Sequence, residues 1–140
     1  MAEKNVVELL ASVPLFQGCT KKELRVIADA AKEVHHTAGS VIAREGDSGM
    51  GFFLILDGTA KVSIGGRTKA KLGHGDYFGE IALLDEGPRS ATVSAETDIE
   101  LLGLTAWTFR RLVAQNPSIA PKLLKVMGER LRGSTRDPRH

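Results

Sequence analysis

"GFFLILDGTAKVSIGG", Gly51 to Gly66, is the stretch on which the fold turns. Phe52 to Leu56 is the longest apolar run in the chain, and it sits between Gly51 and Asp57-Gly58. A second short run, Ala60 to Ile64, follows before Gly65-Gly66. Runs of this length, rich in aromatic and branched residues and closed by glycines, predict strands rather than helices. Asp57-Gly58 suits a turn that needs positive φ, so "LILDGTAKV" reads as a hairpin. The same texture spreads outward through "SVIAREG" upstream and "KAKLGHGDYFG" and "SATVSAETDIELLGL" downstream. Close-set strands punctuated by Gly-Asp, Asp-Gly and Gly-Gly predict an antiparallel sandwich or barrel of jelly-roll type.

Helical patterns flank this region. Val6, Val7, Leu9, Leu10 and Val13 can line a short amphipathic helix that stops before Pro14. Thr20 with Glu23 three residues on forms a capping box, and Leu24, Ile27, Ala28 and Ala31 recur at helical spacing to about Glu33. Thr105 can cap a helix carrying Trp107, Phe109, Leu112 and Val113, ending at Asn116 before Pro117. Ser118 can cap another, with Ile119, Leu123, Leu124, Val126, Met127 and Leu131 as its apolar positions. The expected fold class is therefore α+β: an antiparallel β jelly-roll (double-stranded β-helix) sandwich flanked by N- and C-terminal helices. A single domain over 1–140 divides into helices over 1–34, the β-roll over 35–104, helices over 105–132 and a frayed tail over 133–140.

Composition narrows the function classes. A chain of 140 residues buries roughly two thirds of its unfolded surface and needs no staples. With 42% apolar and 26% charged residues it is a globular composition. No apolar run approaches the roughly 20 residues that span a bilayer, and "MAEKNVVELL" lacks a signal cleavage site, so a cytoplasmic location is expected. Cys19 is alone, which removes an intrachain disulfide and a multi-cysteine metal site. From Trp107 onward eight Lys or Arg face two acids, a solvated basic helix face against a net charge of +2 for the whole chain.

Several motifs carry no chemistry. Gly46-Asp47-Ser48-Gly49 resembles the surroundings of a serine-protease nucleophile, but the chain is too short for that fold, so Asp47, Ser48 and Gly49 read as turn residues. Adjacent His35 and His36 would point to opposite faces of a strand, and His74 and His140 lie far off, so no metal site is expected. "GHGDYFG" has Phe78 where a dinucleotide fingerprint needs glycine, and no Gly-Lys-Ser or Gly-Lys-Thr occurs. Without a nucleophile–base pair or paired carboxylates, an enzyme is not expected.

"FGEIALLDEGPRSATV", Phe78 to Val93, does carry chemistry. "EIALL" after Gly79 is a short helical segment whose first turn offers backbone N–H groups to an anion. Gly87 and Pro88 can turn the chain so that the Arg89 guanidinium faces the same place, and a planar fork suits two phosphate oxygens. Glu80 fits beside an anion if it accepts from hydroxyl groups of the same ligand, as an ionised carboxylate can. A phosphate joined to a sugar, with an apolar base against the sheet, meets these demands together.

With "GDSGMGFFLILDGTAKV" and "LGHGDYFGE" preceding it, this stretch resembles the cyclic nucleotide-binding domain of the catabolite activator protein, of cyclic-AMP-dependent protein kinase regulatory subunits and of cyclic-nucleotide-gated channels. The likeness covers about residues 13 to 132. It implies a phosphate-binding cassette over 78–91 in which Arg89 pairs with the cyclic phosphate and Glu80 with the ribose 2′-hydroxyl. Gly79, Ile81, Ala82, Ser90 and Ala91 would complete the cradle, and Val62, Leu72 and Val93 would wall the base. The ligand implied is cyclic AMP or cyclic GMP, with no cofactor and no metal. A hydroxyl residue after the arginine is associated with cyclic GMP in eukaryotic relatives, but bacterial cyclic-AMP receptors also carry Ser or Thr there, so Ser90 leaves cyclic AMP the preferred reading.

Family members close a terminal helix over the base, and Leu123, Leu124, Met127 and Arg130 are spaced to offer such a lid. These residues equally suit core packing or a dimer seam. Only Gly133 to His140 follow, with no DNA-binding domain and no transmembrane segment. The expectation is a sensor working through a protein partner, or a fragment of a longer regulated protein, in an oligomeric state the residues leave open. The alternative is an interaction module that kept the fold and lost the ligand, with Glu80 and Arg89 paired to each other.

Overall fold

The computed structural model describes residues 2–47, 51–85 and 87–135. Ser48 and Gly49, expected as turn residues, and residues 136–140 of the expected tail lie outside the described residues. The chain divides into two compact units, a β unit over Ala30–Arg110 and a helical unit drawn from Met1–Asp29 and Arg111–His140.

The β unit holds eight strands: β1 (Lys32–His36), β2 (Val41–Ala43), β3 (Gly51–Asp57), β4 (Ala60–Ile64), β5 (Arg67–Leu72), β6 (Tyr77–Phe78), β7 (Thr92–Ala95) and β8 (Ile99–Thr105). They form two four-stranded antiparallel sheets, in the orders β1-β8-β3-β6 and β2-β7-β4-β5. This is the antiparallel β jelly roll that the close-set, glycine-punctuated runs predict. Its core draws on both sheets, with Ile55, Ile99 and Leu101 from one and Ala60, Val93 and Ala95 from the other, all buried. A fully buried Leu or Ile contributes about 1.5–3 kcal/mol relative to exposure, so the facing layers hold the sandwich shut.

Two expectations change in this unit. β1 begins at Lys32, so the sheet starts before the expected boundary at residue 35. "LILDGTAKV" is not a hairpin, because β3 and β4 belong to different sheets and Gly58 carries the chain across the sandwich. Gly58 has φ 93, and a Cβ there would strike the Asp98 carbonyl and Ile99. Each run is flanked on both sides within its own sheet, β3 by β8 and β6 and β4 by β7 and β5. The true two-residue hairpin joins β4 to β5 through Gly65-Gly66.

In the helical unit α1 (Ala2–Ala11) leads into a 3-10 turn, Pro14–Phe16, and α2 (Lys21–Ala30). α3 (Ala106–Gln115) begins in the β unit, and α4 (Ile119–Thr135) packs on the Pro14–Phe16 turn. α2 stops at Ala30 rather than near Glu33, where β1 takes over the chain, and α4 continues to Thr135, three residues past the expected end at 132. The capping box forms as expected: the Thr20 amide donates to Glu23 Oε1 at 2.8 Å and the Glu23 amide to Thr20 Oγ1 at 3.2 Å. Ser118 does not cap α4 in the expected way. Its hydroxyl donates to Glu23 Oε2, and Lys122 Nζ donates to Glu23 Oε1 at 2.5 Å. Burial opposes the charged carboxylate, but the donors from Lys122, Ser118 and Thr20 outweigh it and hold the Glu23 pKa at about 2.

Candidate functional site

β6 ends at Phe78, and Gly79 then turns the chain into a 3-10 segment, Glu80–Leu83. Gly79 sits in the left-handed region with φ 80 and ψ 16. A Cβ added there would run into Arg89 Nη1 and the Gly51 carbonyl oxygen, so both the conformation and the space demand glycine. The first turn of Glu80–Leu83 presents N–H groups with no intrahelical acceptor, at the same place where Arg89 lies.

Arg89 is fixed from both sides. Its backbone N–H donates to the Asp47 carbonyl at 2.7 Å, and its own carbonyl accepts from the Gly46 amide at 2.9 Å. Upstream the Asp85 carboxylate accepts from the Gly87 amide at 3.1 Å, which shapes the loop that carries the chain to Pro88 and Arg89. The half-buried guanidinium donates from Nη2 to the Gly51 carbonyl at 2.7 Å, and burial pushes its pKa below the ordinary value. A partly desolvated guanidinium with donors to spare favours an anion as its neighbour.

These residues border a cavity of about 540 Å³, within the range of small-molecule sites. Gly79, Glu80, Ile81, Ala82, Arg89, Ser90 and Ala91 line it, as do Val62 from β4 and Val93 from β7. Leu72, proposed beside the base, is not brought to this wall. It stands opposite Ala60 at the end of β5 and packs on the sandwich core. Phe78 and Asp85, within the expected segment 78–91, also line the cavity, as do Ala43 and Tyr77, which lie outside it. Phe78 was legible as the residue before Gly79, while Ala43 reaches the site only through the β2–β7 pairing and has no local signal. The cavity is amphipathic: the Arg89 guanidinium and the carboxylates of Glu80 and Asp85 mark its polar wall, and Ala43, Val62, Phe78 and Val93 its apolar one.

Of the four lid candidates on α4, Leu123 is buried and Leu124 is 71% exposed, with Met127 and Arg130 in between. Among the described residues no group of three or more His, Cys, Asp or Glu is placed to hold a metal ion, and no helix is long and apolar enough to cross a membrane.

Comparison with known proteins converges on one group. The family profile described as "Cyclic nucleotide-binding domain" matches residues 33–116. A cyclic nucleotide-gated potassium channel of Rhizobium etli is 39% identical over 130 residues, covering 93% of this chain and 36% of the channel. The cAMP-dependent protein kinase regulatory subunit of Schizosaccharomyces pombe is 43% identical over 106 residues, covering 75% of this chain and 26% of the subunit. The chain thus spans about a third or less of either relative. Among solved structures, the N-terminal domain of a transcriptional regulator from Streptomyces coelicolor superposes with a TM-score of 0.83 at 29% identity, over 91% of this chain and 92% of that one.

Proposed function

Because the chain belongs to the cyclic nucleotide-binding domain family, we propose that it is a non-catalytic cytoplasmic sensor whose 540 Å³ cavity holds a cyclic nucleotide, cyclic AMP in preference to cyclic GMP. The observation that carries this reading is the meeting of Arg89, Gly79 and the Glu80–Leu83 turn at the polar wall of an otherwise apolar cavity. Arg89 would take the exocyclic oxygens of the cyclic phosphate, together with the first amides of the turn. Glu80 would accept from the ribose 2′-hydroxyl. Val62 and Val93 would lie along the base, and Ser90, exposed on the wall, is the hydroxyl that can reach its edge.

Closure of α4 would supply the output. Leu124, with Met127 and Arg130, would cover the base when α4 closes, so that ligand shifts an existing equilibrium toward the closed form. Leu123 is less suited, being already buried. The closed form would then act on a protein partner or on the remainder of a longer regulated protein.

Parallel calorimetric titrations with cyclic AMP and cyclic GMP test the proposal, with Arg89→Leu as the control. Loss of about two charge-assisted hydrogen bonds should weaken binding by roughly a hundredfold or more while the protein stays folded. No binding of either nucleotide to the wild type, or an unchanged affinity in Arg89→Leu, would refute the assignment.

A further inference from the structure

A second cavity, of about 290 Å³, lies in the β unit against β1, β3 and β8. Gly103 makes the room: a Cβ there would sit 3.2 Å from the Phe53 ring and 3.3 Å from Val34. Val34, Phe53 and Leu104 supply the apolar wall. The rim is basic. Strand alternation puts Lys32, Val34 and His36 on one face of β1, and all three line the cavity. Neither the Lys32 nor the His36 side chain makes an ion pair or hydrogen bond with another described residue. No carboxylate is among the described lining residues, whereas Glu80 and Asp85 both line the larger cavity.

The two cavities adjoin across neighbouring strands, β3 and β6, of one sheet. Phe53 lines the smaller one and stacks on Phe78 of the larger, with ring centroids 5.2 Å apart. Gly51 also lines the smaller cavity, and its carbonyl accepts the Arg89 Nη2 hydrogen bond. The Phe53–Phe78 pair and the Gly51 peptide are thus shared between the borders of the two cavities.

We propose that the smaller cavity is a second ligand site, for a small carboxylate with an aryl or short acyl body. The apolar wall takes the body, and the ammonium of Lys32, with a ring nitrogen of His36, takes the carboxylate. The volume equals that of about ten liquid waters, room for a body of about ten to fifteen non-hydrogen atoms. Nothing in this assignment depends on what the larger cavity binds.

The test is an NMR titration of the ¹⁵N-labelled full chain with 4-phenylbutyrate, alongside butyrate and 4-phenyl-1-butanol. Saturable shifts centred on the amides of Val34, Phe53 and Gly103, weaker with either control compound, are expected. Lys32→Glu lies on an exposed side chain and should leave the rest of the spectrum in place while weakening the acid by about tenfold or more. The absence of saturable shifts overturns the proposal. So do shifts centred on residues 80–90, which would put the acid in the larger cavity. Equal binding of the acid and the alcohol, or an unaltered affinity in Lys32→Glu, removes the charge recognition on which it stands.

Discussion

Replacing Glu23 by glutamine should cost the fold about 2 kcal/mol at neutral pH, and that cost should vanish in acid. Glu23 is 7% exposed and takes hydrogen bonds from the Thr20 amide, the Ser118 hydroxyl and the Lys122 ammonium. These donors lower its pKa from 4.5 to about 2. At 1.36 kcal/mol per pH unit the difference corresponds to about 3 kcal/mol of stability. Lys122 has a side-chain exposure of 31%, so solvent screening takes part of this away, to about 2 kcal/mol. The introduced carboxamide keeps an acceptor for Thr20 but leaves the Lys122 ammonium without its counter-charge. A carboxylate whose folded pKa is depressed stabilises the fold above its unfolded value and loses that contribution as the pH falls toward the folded one. Urea unfolding of the wild type and of Glu23→Gln, run from pH 7 to pH 2, should therefore show a gap that is constant down to about pH 5. Between 4.5 and 2 it should close, with more than half gone by pH 3. A gap that stays the same size across this range, or one below 0.5 kcal/mol at pH 7 (roughly an ordinary surface effect), would show that the Glu23 charge does not hold the helical unit together.

Other positions give sharper local tests. Gly79→Ala forces a Cβ into the left-handed region, at about 1–2 kcal/mol, and against Arg89 and the Gly51 carbonyl. It should lower the melting temperature and nucleotide affinity together, and a variant with wild-type affinity would show that Arg89 need not sit where it does. Gly58→Ala meets the Asp98 carbonyl at φ 93, and chemical denaturation should show a loss of about 2 kcal/mol or more with little change in ligand affinity once folded. Burial first, and the Glu23 charge second, push the Cys19 thiol pKa up. Iodoacetamide at pH 8 should therefore alkylate it more slowly than a free cysteine, and Glu23→Gln should speed the reaction.

Much of the fold was legible because its signals are local. Phe52 to Leu56 between glycines, the Thr20–Glu23 box and the Thr105 cap depend on neighbours within a few residues, and each forms where the pattern puts it. The nearness of Gly79, Glu80 and Arg89 was legible for the same reason: they lie close in sequence, and all three line one cavity. The misread hairpin shows where this reasoning stops. Asp57-Gly58 is a turn on any local criterion, but whether the chain then pairs beside itself or crosses to the facing sheet depends on which strands flank each run, β8 and β6 for β3 and β7 and β5 for β4. That is settled by the whole sandwich.

Sequence alone settled the short glycine-punctuated runs that become strands and several of the glycines that take positive φ. Tertiary structure alone decided their partners. The acceptor for Arg89 is a carbonyl 38 residues away at Gly51, and the donors that hold Glu23 charged are 95 and 99 residues away at Ser118 and Lys122. Strand register brought Ala43 to the cavity wall from within the core and left Leu72 off that wall, and Phe53 met Phe78 across β3 and β6. Local periodicity can say that a side chain must be buried. Which neighbour buries it is set only when two sheets close over a shared core and every apolar face competes for the same water-free space.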